Sequence, residues 1–304
     1  MTAAASFRQL IETLPQPLVQ QAIHKTFIEE DQADRERMVQ NLDQSDSKSS
    51  PISDSQRGRN YDLNRYCNVI PFNHNRVRLQ GKNDYINASH IQLPAELSAN
   101  KYIATQGPLN HSTGDFWKMT WEQGALAIIM LANPVEGRRN KCATYWPAST
   151  GQQIKAGDLT VTLADERPMQ DCFAVTVRKI TLAHKLHPGV TRTVTQLHYT
   201  EWPDHGVPQS PLPMLRMMQE LRSGISPNPE TPVIVHCSAG VGRTGTFIII
   251  DSALAYFAKN SDYEGDYVQD AFKSLRKQRS LMVQVLEQYM LCYQVIGYTL
   301  NNKQ

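Results

Sequence analysis

The richest chemistry in this 304-residue chain lies in VIVHCSAGVGRTGTFIII, residues 233–250. An apolar strand runs into a short loop holding Gly240 and Gly242, and a helix is expected to begin near Thr244. Cys237 opens the loop and Arg243 follows six positions later. Glycines let successive backbone N–H groups point inward. The helix adds its unpaired N–H groups and the positive end of its dipole. Arg243 can grip two oxygens of a tetrahedral dianion through its planar fork. The same field stabilises a thiolate at Cys237. One loop therefore combines a nucleophile with an oxyanion cradle of backbone N–H groups from Ser238, Ala239, Gly240, Val241, Gly242 and Arg243. A lone cysteine is ordinarily an inert core residue; this one, set in such a loop between two apolar elements, is far more specific. The loop lacks the Lys-Ser/Thr ending of a nucleotide-binding loop, which disfavours nucleotide hydrolysis.

A second stretch is HYTEWPDHGVP, residues 198–208, where Asp204 sits between a proline and a glycine-containing turn behind a strand. Such a loop can swing over a site and close it. Taken alone, an aspartate there is a surface or capping residue.

Together these segments carry a resemblance. HCSAGVGRTG is similar to the signature of the phosphotyrosine-specific, cysteine-based protein tyrosine phosphatases. Further blocks follow in that family's order: Asn64-Arg65-Tyr66 with NVIPFNHNRVRL, DYINAS at 84–89, YIATQGPL at 102–109, DFWKMTWE at 115–122, KCATYWP at 141–147, the Trp202-Pro203-Asp204 loop, and Gln284 with Gln288. The resemblance covers about residues 60–298.

The resemblance implies an enzyme that hydrolyses phosphotyrosine in proteins. Cys237 is its nucleophile, forming a cysteinyl-phosphate, and Arg243 clamps the phosphate. Asp204 is the general acid for the leaving phenolate oxygen and then the base for water, and Gln284, assisted by Gln288, positions that water. Thr244 offers a hydroxyl to the sulfur. Trp202 belongs to the closing loop. Glu136 and Lys141 resemble a loop whose carboxylate orients the signature arginine, although Glu136 could equally be a solvated charge. His236 either tunes the thiolate or is a satisfied core histidine. Tyr66 would wall a deep slot that rejects the shorter phosphoserine and phosphothreonine. Two departures stand out. Asn68 occupies a position where relatives commonly hold the substrate backbone with Asp, and Asn73 also stands where Asp is usual. No metal and no cofactor are expected, because Arg243 and the amides supply the positive field.

Two other readings compete: a pseudophosphatase that captures phosphotyrosine without turnover, and a relaxed phosphatase acting on phosphoserine, phosphothreonine or phosphoinositides. The complete set of Cys237, Arg243, Asp204 and Gln284 speaks against the first. Tyr66 and the absence of basic residues in SAGVG speak against the second.

Elements must position these groups. The continuous apolar runs at 125–132 and 232–235 read as central strands covered on both faces. Leu159, Val161 and Leu163 alternate with polar residues, as do Phe173, Val175 and Val177, and these read as half-buried strands. Residues 211–223 and 281–300 read as helices, the latter with Met282, Leu286, Tyr289 and Tyr293 on one stripe. The expected fold is α/β (α+β): one domain with a central, highly twisted mixed sheet flanked by helices, the cysteine loop lying between a central strand and a helix. Residues 1–55 read as a helical N-terminal lead-in with a polar linker, and 56–304 as the catalytic domain. Within the lead-in, Pro15 and Pro17 separate two helical stretches, and 43–60 reads as a mobile linker with almost nothing to bury. The Ala-, Ser- and Gln-rich start would also fit a secretion segment of an effector delivered into a host cell, but the lead-in is preferred.

Composition bounds the rest. With 40% hydrophobic residues and a formal charge of +2, the chain is globular and its charge balance asks for no nucleic acid. Its five cysteines are scattered without a CxxC pair, which suits a reducing, cytoplasmic setting rather than a disulfide framework. No apolar run approaches the roughly 20 residues of a membrane span, and no secretory signal is visible. The expected partners are phosphotyrosine-containing proteins, and the expected state is a monomer.

Overall fold

The AIIM and VIVH segments of the two apolar runs form adjacent strands in the middle of the sheet, with every side chain buried. This is the pattern of strands covered on both faces. The computed structural model describes residues 6–43, 50–203 and 206–302. Its strands are β1 (Arg76–Arg78), β2 (Tyr85–Gln92), β3 (Lys101–Thr105), β4 (Ala127–Met130), β5 (Val135–Glu136), β6 (Arg139–Asn140), β7 (Gln153–Ala156), β8 (Leu159–Met169), β9 (Cys172–His184), β10 (Thr191–Tyr199) and β11 (Val233–His236). Nine of them form one sheet in the order β1-β2-β3-β11-β4-β10-β9-β8-β7, and β5 pairs with β6. β3, β11, β4 and β10 run parallel, and the flanking pairs are antiparallel. The sheet is therefore mixed, as expected.

The helices are α1 (Phe7–Thr13), α2 (Pro17–Asp43), a single turn α3 (Ser53–Gln56), α4 (Thr113–Glu122), α5 (Leu212–Glu220), α6 (Gly242–Phe257), α7 (Tyr267–Gln278) and α8 (Leu286–Asn301). Each face of the sheet carries its own apolar cluster. One holds Ala127, Ile129, Val233 and Val235 with α6 and α8; the other holds Ile128, Met130 and Ile234 with α4. The sheet alternation thus sorts each central strand between two cores.

The N-terminal stretches fold as two helices, divided by a turn between Pro15 and Pro17. Ser6 caps α1 in a reciprocal pair with Gln9. Phe7 stacks on Phe257 with centroids 5.6 Å apart, and Phe27 lies 5.6 Å from Tyr289 and 5.8 Å from Phe272.

Three expectations need correction. The expected mobile linker at 43–60 is overturned over its described part from residue 50, where Ile52, Ser53, Asp54 and Ser55 are buried, while residues 44–49 lie outside the described residues. Asp54 pairs with the buried Arg76 at 2.8 Å. Asn73 accepts from the Asp54 N–H at 3.2 Å and donates to the Ser50 carbonyl and the Ser53 hydroxyl at 3.0 Å. Polar composition hid these partners because they come from elsewhere in the chain. Phe173 is 82% exposed, since near the tip of the β8–β9 hairpin it faces away from its buried neighbours Cys172 and Ala174. Residues 281–285 are not helical. Leu281 and Val283 take φ of 63° and 56°, and α8 starts only at Leu286.

Candidate active site

β11 delivers Cys237 and α6 begins at Gly242, so the cysteine loop spans 237–241. Its carbonyls are all engaged by the scaffold. The Cys237 carbonyl accepts from His236 Nδ1 at 3.1 Å and the Ser238 carbonyl from the Gly107 N–H at 2.9 Å. Arg279 donates to the carbonyls of Ala239 at 3.1 Å and Gly240 at 2.9 Å. The Val241 carbonyl accepts from Gly245 and Val283 N–H groups at 2.8 and 3.1 Å. In a trans peptide the N–H points opposite the C=O. Holding the carbonyls outward therefore turns the N–H groups that follow them toward the concave side. Gly240 has φ 72°, and a Cβ there would lie 2.1 Å from the Thr105 carbonyl oxygen, so only glycine fits.

Arg279 was not singled out in the sequence. Its side chain is fully buried and also donates to Asn87 at 2.7 Å and Ser89 at 3.1 Å, and burial pulls its pKa down to about 10. The only sequence signal was a cation in KQRS just before the apolar Leu281 and Met282, which does not reveal its partners.

Cys237 is 6% exposed, and the Thr244 hydroxyl donates to its sulfur at 3.4 Å. Burial pushes the thiol of Cys142 up to about 12 and raises that of Cys292 as well, which keeps both protonated and inert. All five cysteines are free.

His236 is fully buried. A carbonyl can only accept, so Nδ1 carries the proton and Nε2 accepts from the Tyr145 hydroxyl at 2.8 Å. Gln196 donates to that hydroxyl at 2.7 Å. Burial pushes the His236 pKa down to about 4. His236 is thus a neutral, satisfied core histidine that also pins the Cys237 carbonyl.

Arg243 is held in a two-point grip. Its guanidinium donates to Glu136 Oε1 at 2.7 Å and Oε2 at 3.0 Å, and to the carbonyls of Leu131 at 2.8 Å and Pro203 at 3.0 Å. Glu136 is buried and also accepts from the Asn133 N–H at 2.9 Å, so it is no solvated charge. The β5–β6 hairpin exists to present it. The Pro203 contact brings the Trp202-containing loop to the same arginine. Trp202 is buried and its indole N–H donates to the Gly206 carbonyl at 3.4 Å. Asp204 itself lies outside the described residues.

Tyr66 stands at the rim. Ser238 Oγ donates to the Lys141 carbonyl at 2.9 Å and so accepts from the Tyr66 hydroxyl at 2.8 Å. Arg65 ties that segment down through the carbonyls of Gly107 at 2.9 Å and Pro108 at 2.8 Å. Asn68 is exposed two residues on.

Residues 281–284 lie across the start of α6. A Cβ on Gly245 would meet the Val283 backbone nitrogen at 2.6 Å. A Cβ on Gly242 would lie 3.2 Å from Gln284 Cβ. Gln288 Oε1 accepts from the Gln284 N–H at 3.0 Å. Both glutamines therefore border the Cys237 loop. The left-handed backbone at Leu281 and Val283 costs about 1–3 kcal/mol at each residue and persists only where the surroundings impose it. Among the described residues, no group of three or more His, Cys, Asp or Glu could hold a metal ion.

A mixed sheet whose central strand ends in a loop opened by a cysteine, with an arginine buried at the first turn of the next helix, defines an α/β domain built around a cysteine loop. The family model described as Protein-tyrosine phosphatase matches residues 60–298, and the chain belongs to that family. It is 41% identical over 252 residues to receptor-type tyrosine-protein phosphatase C of Rattus norvegicus, covering 81% of this chain and 19% of that protein. It is 39% identical over 251 residues to tyrosine-protein phosphatase non-receptor type 13 of Mus musculus, covering 79% of this chain and 10% of that one. It is 38% identical over 240 residues to non-receptor type 2 of Rattus norvegicus, with 78% and 56% covered. The chain thus spans little more than half the length of these relatives at most. Among the described residues no helix is long and apolar enough to cross a membrane.

Proposed function

We propose that this protein hydrolyses phosphotyrosine in proteins through a cysteinyl-phosphate. The observation that carries the reading is the pre-set Arg243. Its fork is fixed by Glu136 at the end of a loop whose amides and Cys237 share one concave face. The Cys237 thiolate attacks phosphorus, forming the S–P bond as the bond to the tyrosine oxygen breaks. Asp204 gives its proton to that oxygen. Arg243 and the N–H groups of residues 238–243 meet the charge on the equatorial oxygens. Water, positioned by Gln284 with help from Gln288, then attacks phosphorus and passes a proton to Asp204. The S–P bond breaks and inorganic phosphate leaves.

Thr244 stabilises the sulfur as a leaving group, and the Tyr66 wall selects the long aromatic side chain. Lys141 contributes its carbonyl, which fixes Ser238. Asn68 has no charge with which to hold a substrate backbone, so peptide register relies more on Tyr66. The packing of α1 and α2 against α7 and α8 supports reading residues 1–55 as a structural lead-in to a catalytic domain at 56–304. Free thiols support a cytosolic setting.

Acid quenching during turnover of a phosphotyrosine peptide, followed by mass analysis of the Cys237 peptide, tests the reading. One phosphate on Cys237 is expected. Phosphate on another residue, or turnover without any covalent adduct, would overturn it.

A further inference from the structure

The strained loop at 281–283 is gripped from outside the family-matched region, by α2. Asp34 is fully buried, and its Oδ2 accepts from the Leu281 N–H at 2.7 Å. The same oxygen accepts from Arg276 Nη1 at 3.2 Å, and Asp31 of the same helix accepts from Nη1 at 2.9 Å. Arg276 is buried too. Its Nε donates to the Met282 carbonyl and its Nη2 to the Val283 carbonyl, each at 2.8 Å. The guanidinium lies 4.7 Å from the Phe272 ring centre and 5.9 Å from that of Phe27.

One carboxylate and one guanidinium thus hold three consecutive residues. Two of these, Leu281 and Val283, have left-handed φ although neither is glycine. A β-branched residue such as Val283 adopts that backbone only under constraint. The next residue is Gln284. Its backbone N–H meets Gln288, and the Val283 N–H just before it bonds the Val241 carbonyl of the cysteine loop. Release of the clamp would let 281–283 relax toward ordinary helical dihedrals, extending α8 backwards and moving Gln284 away from Gly242.

We propose that Asp34, acting through Arg276 and the Leu281 N–H, positions Gln284 for the second, hydrolytic half of the reaction. The proposal rests on the phosphatase reading above. Asp34 and Arg276 touch no reacting atom, so they are positioning residues. The lead-in helix α2 is then a working part of the active site rather than packing alone. Formation of the S–P bond depends on Cys237, Arg243 and Asp204, none of which the clamp holds. Attack by water depends on Gln284, which it does.

Rapid-quench kinetics with p-nitrophenyl phosphate separates the two halves. Nitrophenol from the first turnover reports thiophosphate formation, and the later linear phase reports its hydrolysis. Asp34→Ala is expected to keep the first-turnover rate within about twofold and to slow the linear phase by roughly 10–100-fold, the scale of a small misplacement of a positioned group. The burst per folded site grows accordingly. Gln284→Ala should show the same pattern, and the double variant should be no slower in the linear phase than Gln284→Ala alone, because both act through one group. A proportional fall of burst and linear phase would mean lost folded protein and would overturn the proposal. So would effects that multiply in the double variant. Should Asp34→Ala not fold, Asp34→Asn removes the charge at constant shape, and an unchanged ratio of burst to linear rate in that variant would overturn it equally. No nitrophenol release by the unmodified protein would refute the phosphatase reading itself, and this proposal with it.

Discussion

The Arg243 guanidinium and the Glu136 carboxylate meet in a bidentate pair of 2.7 and 3.0 Å, both side chains at least nine-tenths buried. Two buried charges are stable only together, and the loss of one partner costs about 3–5 kcal/mol. Glu136→Ala is therefore expected to lower unfolding free energy by roughly 3 kcal/mol and to lower kcat/KM sharply, because Arg243 loses its orientation. Urea unfolding and steady-state kinetics check both. Wild-type stability in Glu136→Ala would show that the pair does not fix the arginine. Arg243→Lys should also be severely impaired, since an ammonium cannot reproduce the fork.

Asp204→Ala should slow catalysis by roughly 10²–10⁴, the usual share of general acid catalysis, with little change in binding. The measurement is kcat across pH 5–7 with a phosphotyrosine peptide. A wild-type profile would remove Asp204 from the mechanism.

Arg279 fixes the loop through two carbonyls, so Arg279→Leu leaves buried acceptors unpaired at about 1–3 kcal/mol each. Its KM for an aryl phosphate should rise roughly tenfold or more, equivalent to about 1.4 kcal/mol or more of lost binding. An unchanged KM in the folded variant would mean that the amides are held by other contacts.

His236 sets a pH dependence of stability. Burial depresses its folded pKa to about 4 from 6.5. The unfolded chain therefore takes up a proton in a range where the folded chain does not. The stability so gained is present above pH 6.5 and is lost as pH falls through about 4, a change of roughly 3 kcal/mol. His198, pushed to about 3 by burial and then by the Arg178 cation, acts in the same sense. Unfolding free energies between pH 4 and 7 should fall with acid, and His236→Gln should flatten the curve. An identical slope in that variant would contradict the assignment. Activity between pH 5 and 7 should show no ionisation of His236.

The sequence was most legible where chemistry is local. Cys237, the glycines and Arg243 lie within seven residues, and the strand and helix around them are read from apolar runs. Glu136 was named from the resemblance as a partner for Arg243, with a solvated charge equally open, and only its burial and its bonds to Arg243 decide between the two. Arg279, Asp34 and Arg276 were not found, because key partners of theirs, Gly240, Leu281 and Asp34 in turn, lie 39, 247 and 242 residues away in chain order. A charge on a helix looks solvated until its partner is known. The helical stripe from Met282 to Leu286 misled for a related reason. Its period continues through 281–285, but the buried clamp overrides local propensity there. Asn73 shows the same effect, since its amide both accepts and donates to segment 50–54, whereas a carboxylate could only accept.

The most direct test is phosphate release from matched phosphotyrosine and phosphothreonine peptides at about pH 6 without added metal, with Cys237→Ser as control. The account predicts rapid release from the phosphotyrosine peptide alone, abolished in Cys237→Ser while binding persists. Comparable release from both peptides would contradict the Tyr66 slot, and tight phosphotyrosine binding without release would make the protein a capture module instead of an enzyme.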